Sequence, residues 1–502
     1  MWACTAWVLS LCAVRACRPV EGGVDFWAHA AVGRWILEHH HVPRQTLWIW
    51  GAAPEPWIAH SWGAQVAFAT LMAQGEAWGA RLGIALSMVC AVASFGLLWR
   101  ATLKSLGRFH LKPDLPLLAL YALAVMCAGV RFKPRPELFT ALFVTAQLLF
   151  WLAWHKDQDE HSGLNRAQGR RGLPLRLCLG LVAMWVLWAN VHGAWAFGLA
   201  LWALTIVGDG LQDRFDARWR WLVLVGVCCV LATLLNPYGA HLWQALRATH
   251  SGTFAQIEEW KKPWAWPAVP PEWTWGEFIV AAGALIAWIY DPKRRWSHGL
   301  WVAFALLSYC VARRFLWLSA LVDMAVLARS GWALQRPWWL AMRRNVRVRL
   351  ALDGLSLALM VVVLAQQTPH DILAMPAMPR SVPVQLSHRA RLLERQFRQH
   401  GKKMRPFNDY EYSSYWQWAF AGRPPLFIDL LNAYPDSLMD DYFSVLAQNA
   451  RGKMLLGRCN VVLSRPAFKG EHVLEFQQAI DKLPRQWRRV YKGKDGTIWV
   501  RR

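Results

Sequence analysis

The chain has 502 residues, of which 55% are hydrophobic and 18% charged, with a formal net charge of +24 and 35 tryptophans. This excess of apolar over charged residues excludes intrinsic disorder, a collagen-like fibre and a small disulfide scaffold, and argues against an ordinary soluble enzyme. There is no glycine-rich phosphate loop. The basic residues lie between apolar runs, so membrane topology accounts for the charge and no nucleic-acid partner is required.

A membrane-crossing helix needs roughly 20 mainly apolar residues. About eleven candidates follow one another, near 2–19, 78–100, 115–130, 137–154, 176–190, 194–209, 220–236, 276–290, 298–312, 315–333 and 350–367. A further apolar stretch near 61–75 follows Pro56 and reads as re-entrant or interfacial. Residues 1–18 lack a basic leader and contain Arg15, so they read as a first membrane helix rather than a cleaved signal peptide. With the N-terminus in the cytoplasm, five successive inner loops carry the cations: Lys104 to Lys112, Lys156 to Arg171, Arg214 to Arg220, Lys293 to Arg295, and Arg336 to Arg349. The positive-inside rule then places loops 20–60 and 237–275, and everything after 368, outside. Nine of the ten cysteines lie in or beside apolar runs and read as packing residues.

From about 369 to 502 the apolar residues come in short groups between polar turns. The pattern predicts helices near 384–399, 409–420, 436–448 and 471–483. It predicts strands near 405–407, 426–428 and 461–463, and a closing hairpin of Trp487–Tyr491 and Thr497–Val500 turned at Lys494-Asp495-Gly496. Such alternation fits a small α/β domain.

Several polar groups stand out along the chain. Asp25, His29 and Gly33 are spaced to share one helix face, where an acid and an imidazole can deprotonate a hydroxyl. Asp25 is equally well placed as a helix N-cap. The His39-His40-His41 tract before Pro43 reads as a helix end rather than a metal tract, because adjacent helical side chains diverge. His60 sits in a proline-braced turn. Arg131, Lys133 and Arg135, with Pro134 and Pro136, break the positive-inside rule, as do Arg313 and Arg314. A phosphate or pyrophosphate group would explain both clusters, as would ordinary anionic lipid headgroups. Asn190 and His192 lie at the hydrocarbon edge, where they can bond a partner helix or freed carbonyls. Asn236-Pro237-Tyr238-Gly239 is a turn sequence, and Glu258 belongs to the long outer loop that follows. Asp429 stands at the end of the strand predicted at 426–428.

These segments, taken in order, resemble a bacterial family of multi-pass membrane proteins related to the GT-C glycosyltransferases. The matching pieces are Asp25-Phe26-Trp27-Ala28-His29 with Gly33, Val42-Pro43, Pro56-Trp57-Ile58-Ala59-His60-Ser61-Trp62, Trp188-Ala189-Asn190-Val191-His192-Gly193, Asn236-Pro237-Tyr238-Gly239, Ile257-Glu258-Glu259-Trp260, Phe407-Asn408-Asp409-Tyr410-Glu411 and Phe427-Ile428-Asp429. The resemblance implies an essential acid in the first outer loop, where Asp25 stands, and a polyprenyl-phosphate-linked sugar donor. The chain departs from the family at Thr46 and Ser61, where relatives carry acids, and at Ser413-Ser414, where they carry a glycine pair. The loss of those acids leaves a divalent metal unsupported, and no other cofactor is expected.

The resulting expectation is a mainly α, GT-C-like polytopic protein of the bacterial inner membrane. It has a transmembrane domain over 1–368 and an extracytoplasmic α/β domain over 369–502. The function expected is inverting glycosyl transfer from the lipid-linked donor to a glycan or protein acceptor outside the cytoplasm. Asp25 would be the base, His29 or His60 would orient it, and Arg131, Lys133, Arg135, Arg313 and Arg314 would hold the lipid phosphate. The alternatives are a non-catalytic envelope scaffold of the same fold and a lipid or solute transporter.

Overall fold

The structure, a computed structural model, describes residues 2–17, 20–21, 24–108, 111, 113–161, 175–213, 215, 217–248, 258–265, 271–335, 345–365 and 381–502. Several expected inner-loop cations, including Lys112, Arg166, Arg170, Arg171, Arg214, Arg336, Arg343 and Arg344, lie outside the described residues. The chain forms two compact units. The first comprises Met1–Arg18, Ile84–Leu246 and Phe254–Met375; the second comprises Pro19–Gly83, Arg247–Thr253 and Pro376–Arg502.

The longer helices run in chain order as α1 (Trp2–Ala16), α2 (Phe26–His39), α3 (Trp62–Met72), α4 (Glu76–Arg108), α5 (Leu115–Gly129), α6 (Glu137–His161), α7 (Leu175–Val191), α8 (Trp195–Asp213), α9 (Ala217–Ala232), α10 (Pro271–Tyr290), α11 (Trp296–Val311), α12 (Leu316–Ser330) and α13 (Val346–Ala365). In the first unit α5 and α12 are buried on every side, as befits helices that are apolar all round. α5 packs against α1, α10, α12 and α13. Its start is set by Asp114, whose carboxylate accepts the Leu117 N–H at 3.0 Å, with proline in the first turn. α7, α9, α10 and α11 turn Leu187, Leu224, Leu231, Ile279, Ile286 and Leu307 to the exterior. Exposed apolar residues in such number suit contact with lipid.

Among the described residues three helical stretches are long and apolar enough to cross a membrane, Glu76–Arg108, Glu137–Lys156 and Arg313–Leu334. Six others are apolar but have only 10–17 residues. The expected eleven spans are therefore not reached among the described residues. The helices follow most of the apolar runs closely, but the runs near 115–130, 176–190, 220–236, 276–290 and 298–312 are themselves shorter than a full span of roughly 20 residues.

The second unit joins the segment after α1 to the tail. α2 and α3 pack closely because Gly33 has no side chain: a Cβ there would lie 1.9 Å from the Gln65 carbonyl oxygen. α2 ends in the histidine tract, with His40 in the left-handed region at φ 56° and His39 stacked on Trp35. The tail contributes α14 (Val384–Gln399), α15 (Ser413–Phe420), α16 (Asp436–Leu446), α17 (Ala450–Leu456) and α18 (His472–Asp481). Its strands are β1 (Pro406–Asn408), β2 (Val461–Ser464), β3 (Trp487–Gly493) and β4 (Gly496–Arg501), ordered β1-β2-β4-β3. β1 and β2 are parallel, and the other pairs are antiparallel. Phe407, Val462, Phe476 and Trp499 meet in the core.

Two tail expectations need correction. Residues 426–428 form no strand. Leu426 makes an isolated bridge to Ile49, and the Asn408 side chain bonds the Phe427 N–H and the Ile428 carbonyl where a neighbouring strand would. α17 was not anticipated; Asn449 starts it by accepting the Gly452 N–H at 2.8 Å.

Gly33→Ala tests the α2–α3 approach. Overpacking of this kind typically costs about 1–3 kcal/mol, and here the obstacle is backbone that cannot rotate away. Thermal unfolding of the purified variant should show that loss.

Candidate functional site

Asp25 occupies the N-cap position of α2, yet its side chain makes no capping hydrogen bond. The cap comes from the tail. The Ser414 hydroxyl accepts the Ala28 N–H at 3.0 Å and donates to the Val24 carbonyl at 2.7 Å. The N-cap reading of Asp25 therefore holds for its position and fails for its bond. One turn on, His29 Nδ1 lies 3.3 Å from Gln65 Nε2. With the amide as donor, the imidazole carries its proton on Nε2. His60 is half-buried in the turn that leads into α3. The α2 face is fixed further by Arg34, which donates to the Trp418 carbonyl at 2.8 Å and lies over the Trp418 ring.

The residues that replace the relatives' acids have other tasks. Thr46 Oγ1 accepts the Glu55 N–H at 3.1 Å, and Ser61 is buried at the start of α3. Among the described residues no group of three His, Cys, Asp or Glu side chains is placed to hold a metal ion. With one carboxylate on this face, the donor set does not fit a divalent cation.

In the first unit three of the five expected phosphate-binding residues, Arg131, Arg135 and Arg314, converge on Glu259, which the sequence offered only as part of the Ile257–Trp260 segment and with no role of its own. Arg131 is paired with Glu137 at 2.7 Å and, through its other terminal nitrogen, with Glu259. Arg135 reaches the same Glu259 oxygen at 3.3 Å, and Arg314 reaches the second oxygen at 3.9 Å. Arg314 also lies 4.1 Å from the Trp260 ring centroid. Burial alone would raise the Glu259 carboxyl; the charges of Arg131, Arg135 and Arg314 outweigh it and hold the group below its ordinary range. Burial likewise works against the Arg131 charge, and Glu137 and Glu259 reverse the effect. Arg313 is buried, and its backbone N–H donates to the Lys261 carbonyl at 3.1 Å. Lys133 sits in the turn after Arg131, its N–H on the Arg131 carbonyl at 2.7 Å.

The remaining candidates have structural roles. Asn190 donates to the Val186 and Leu235 carbonyls, each at 2.8 Å, and so ties the ends of α7 and α9. His192 Nδ1 lies 2.9 Å from Thr140 Oγ1 on α6. Asn236 closes its turn by accepting the Tyr238 N–H at 2.7 Å. Glu258 opens a short 3-10 turn, Glu258–Trp260, and its side chain lies outside the described residues. Asp429 is buried in the second unit, where it accepts from Gln417 Nε2 at 2.5 Å and from the Leu431 N–H at 2.9 Å. Burial raises its carboxyl to about 7 against those bonds. Burial raises Asp409 to about 7 as well, opposed by Arg465.

Sequence reasoning also missed a polar chain inside the first unit. His155 Nε2 pairs with Asp209 at 2.7 Å, His155 Nδ1 lies 2.9 Å from His298 Nε2, and the Ser297 hydroxyl donates to Asp209 at 2.9 Å. All four are buried and join α6, α8 and α11. They come from three separate stretches of sequence, with only Ser297 and His298 adjacent, so no local motif announces the group.

Two measurements follow from this geometry. Ser414→Ala should lower stability by about 0.5–2 kcal/mol, the usual cost of a lost N-cap, read by thermal unfolding. For Asp429 the folded state favours the protonated form. Its stabilising contribution is full below the unfolded value near 3.8 and is lost as pH rises towards about 7. Asp429→Asn should remove that loss, so hydrogen exchange around Gln417 and Leu431 should vary less with pH across this window than in the wild type.

No family model and no curated protein matches the chain. Its fold does match solved structures. The archaeal oligosaccharyltransferase AglB from Archaeoglobus fulgidus, in complex with an inhibitory peptide and a dolichol-phosphate, aligns with TM-score 0.58 and 12% identity over 92% of this chain and 69% of that one. The A. fulgidus oligosaccharyltransferase tethered with an acceptor peptide aligns with TM-score 0.59 and 10% identity over 99% and 74%. Its apo form aligns with TM-score 0.55 and 11% identity over 92% and 69%. At these identities the likeness is one of fold: the chain has a GT-C-like architecture.

Proposed function

We propose that the protein transfers a glycosyl group, with inversion, from a polyprenyl-phosphate-linked donor to a glycan or protein acceptor outside the cytoplasm. The observation that carries this reading is the convergence of Arg131, Arg135 and Arg314 on one anionic position, in a chain of this fold. Guanidinium groups suit phosphate oxygens, and charge that develops on a leaving oxygen is stabilised best by such preorganised donors.

In the reaction, the acceptor oxygen bonds to the anomeric carbon while the bond from that carbon to the phosphate oxygen breaks. The bonding pair leaves with the phosphate, where the arginines balance its charge. The acceptor proton passes to the Asp25 carboxylate, which Ser414 has relieved of helix capping. His29, with Nε2–H as donor, orients the carboxylate or the acceptor oxygen. His60 remains a candidate for the same task, and Lys133 and Arg313 add positive charge beside the arginines. The orientation with the N-terminus in the cytoplasm belongs to this proposal.

Asp25→Asn tests it. Asn is nearly isosteric and cannot accept the proton, and loss of a general base costs about 10²–10⁴-fold in rate. Complementation of a deletion strain should fail while protein level and membrane insertion stay normal. Full rescue would remove the transferase mechanism and favour a scaffold of the same fold.

A further inference from the structure

The three arginines proposed to hold phosphate are already engaged by a carboxylate. Glu259 stands where an anion would, with Arg131 and Arg135 on one oxygen and Arg314 on the other. The fit is incomplete. Arg135 at 3.3 Å and Arg314 at 3.9 Å are both beyond the 2.7–2.9 Å common for charge-assisted bonds. The two Glu259 oxygens lie in one plane, and Arg135 and Arg314 meet them only at long range. The oxygens of a phosphate group are tetrahedrally arranged, and a phosphomonoester has three of them free to accept, one for each guanidinium.

The two glutamates differ in a telling way. Glu137 is the deeper, with its side chain 6% exposed, and holds Arg131 from the buried side. The Glu259 side chain is 29% exposed and approaches from the accessible side. If Glu259 withdraws, Arg131 keeps Glu137 and so keeps its place, while Arg135 and Arg314 turn to whatever anion arrives.

We infer that Glu259 is a built-in competitor for the phosphate position: its carboxylate occupies the arginines in the absence of ligand, yields to the lipid phosphate, and helps expel the phosphate product. The inference rests on the proposed phosphate role of these arginines. Glycosyl transfer turns a phosphodiester into a phosphomonoester, which carries more negative charge and binds arginine more tightly. A competing carboxylate acts against that tightening and favours release.

The sign of one substitution decides the matter. Undecaprenyl phosphate is titrated into the full-length protein in nanodiscs. Glu259→Gln keeps the side-chain shape and removes the competing charge, so it should bind roughly tenfold more tightly than wild type, the scale of one lost charge-assisted contact. Arg131→Ala should bind at least about tenfold more weakly. If Glu259 merely braces the arginines, Glu259→Gln will weaken binding or leave it unchanged, and the inference falls while the phosphate site stands. If neither wild type nor Glu259→Gln binds, the phosphate reading falls and the inference with it. Should Glu259→Gln fail to fold, Glu259→Asp draws the carboxylate back by one methylene and should tighten binding about threefold; equal or weaker binding overturns the inference.

Discussion

One hydroxyl ties the second unit together. Ser414 accepts the amide of Ala28 and donates to the carbonyl of Val24, joining residues 386 and 390 positions apart in sequence. Around that contact Trp27 meets Tyr415 edge to face at 5.1 Å, and Glu76 accepts from both Tyr415 and Trp418. The start of α2 is thereby fixed by the tail and not by its own first residues. Asp25 keeps the N-cap backbone position but is released from the N-cap bond, and α2 directs the Asp25–His29 turn from a fixed base. Gly33 then lets α3 close on the same helix, which brings Gln65 to His29.

The first unit is governed by a different constraint. Charges among apolar helices have little water to solvate them, so each needs a partner. Arg131 has two acids, and Glu259 has three bases. Deeper in the bundle, Asp209, His155, His298 and Ser297 form a chain that joins three helices. In both places polar side chains take over the joining role that hydrophobic contrast cannot play between helices surrounded by lipid. The same economy appears at Asn190, whose amide donates both to the Val186 carbonyl of its own helix and to the Leu235 carbonyl just past the end of α9.

What could be read from sequence follows from range. The continuous apolar runs of α5 and α12, the closing hairpin, four of the five tail helices and the Asn236 turn are local patterns, and they stand in the structure at or near the expected residues. The strand expected at 426–428 has the right apolar residues, yet the Asn408 side chain takes the hydrogen bonds a neighbouring strand would need. The cations of the Arg131 loop were conspicuous because they broke a charge rule. Glu259 was not, because an acid in a loop expected outside breaks none, and its importance comes only from the arginines folded against it. Ser414 was noticed as a departure from a glycine pair, but nothing in its neighbourhood says that its partners lie near residue 25. Long-range pairings of this kind leave no periodic trace.

The discontinuity of the second unit sets an order on biosynthesis. α2 and α3 emerge early, but the residue that caps α2 follows Ala28 by 386 positions. At roughly 5–20 residues per second, that interval is about 20–80 s. Throughout it, α2 and α3 must persist without Ser414, Tyr415 or Trp418, and with the Trp27 face that Tyr415 will meet uncovered. The first segment is therefore the earliest part of the second unit to be made and among the last to be completed. A chain that stops before residue 414 lacks more than its tail: it leaves the Asp25 helix without its cap.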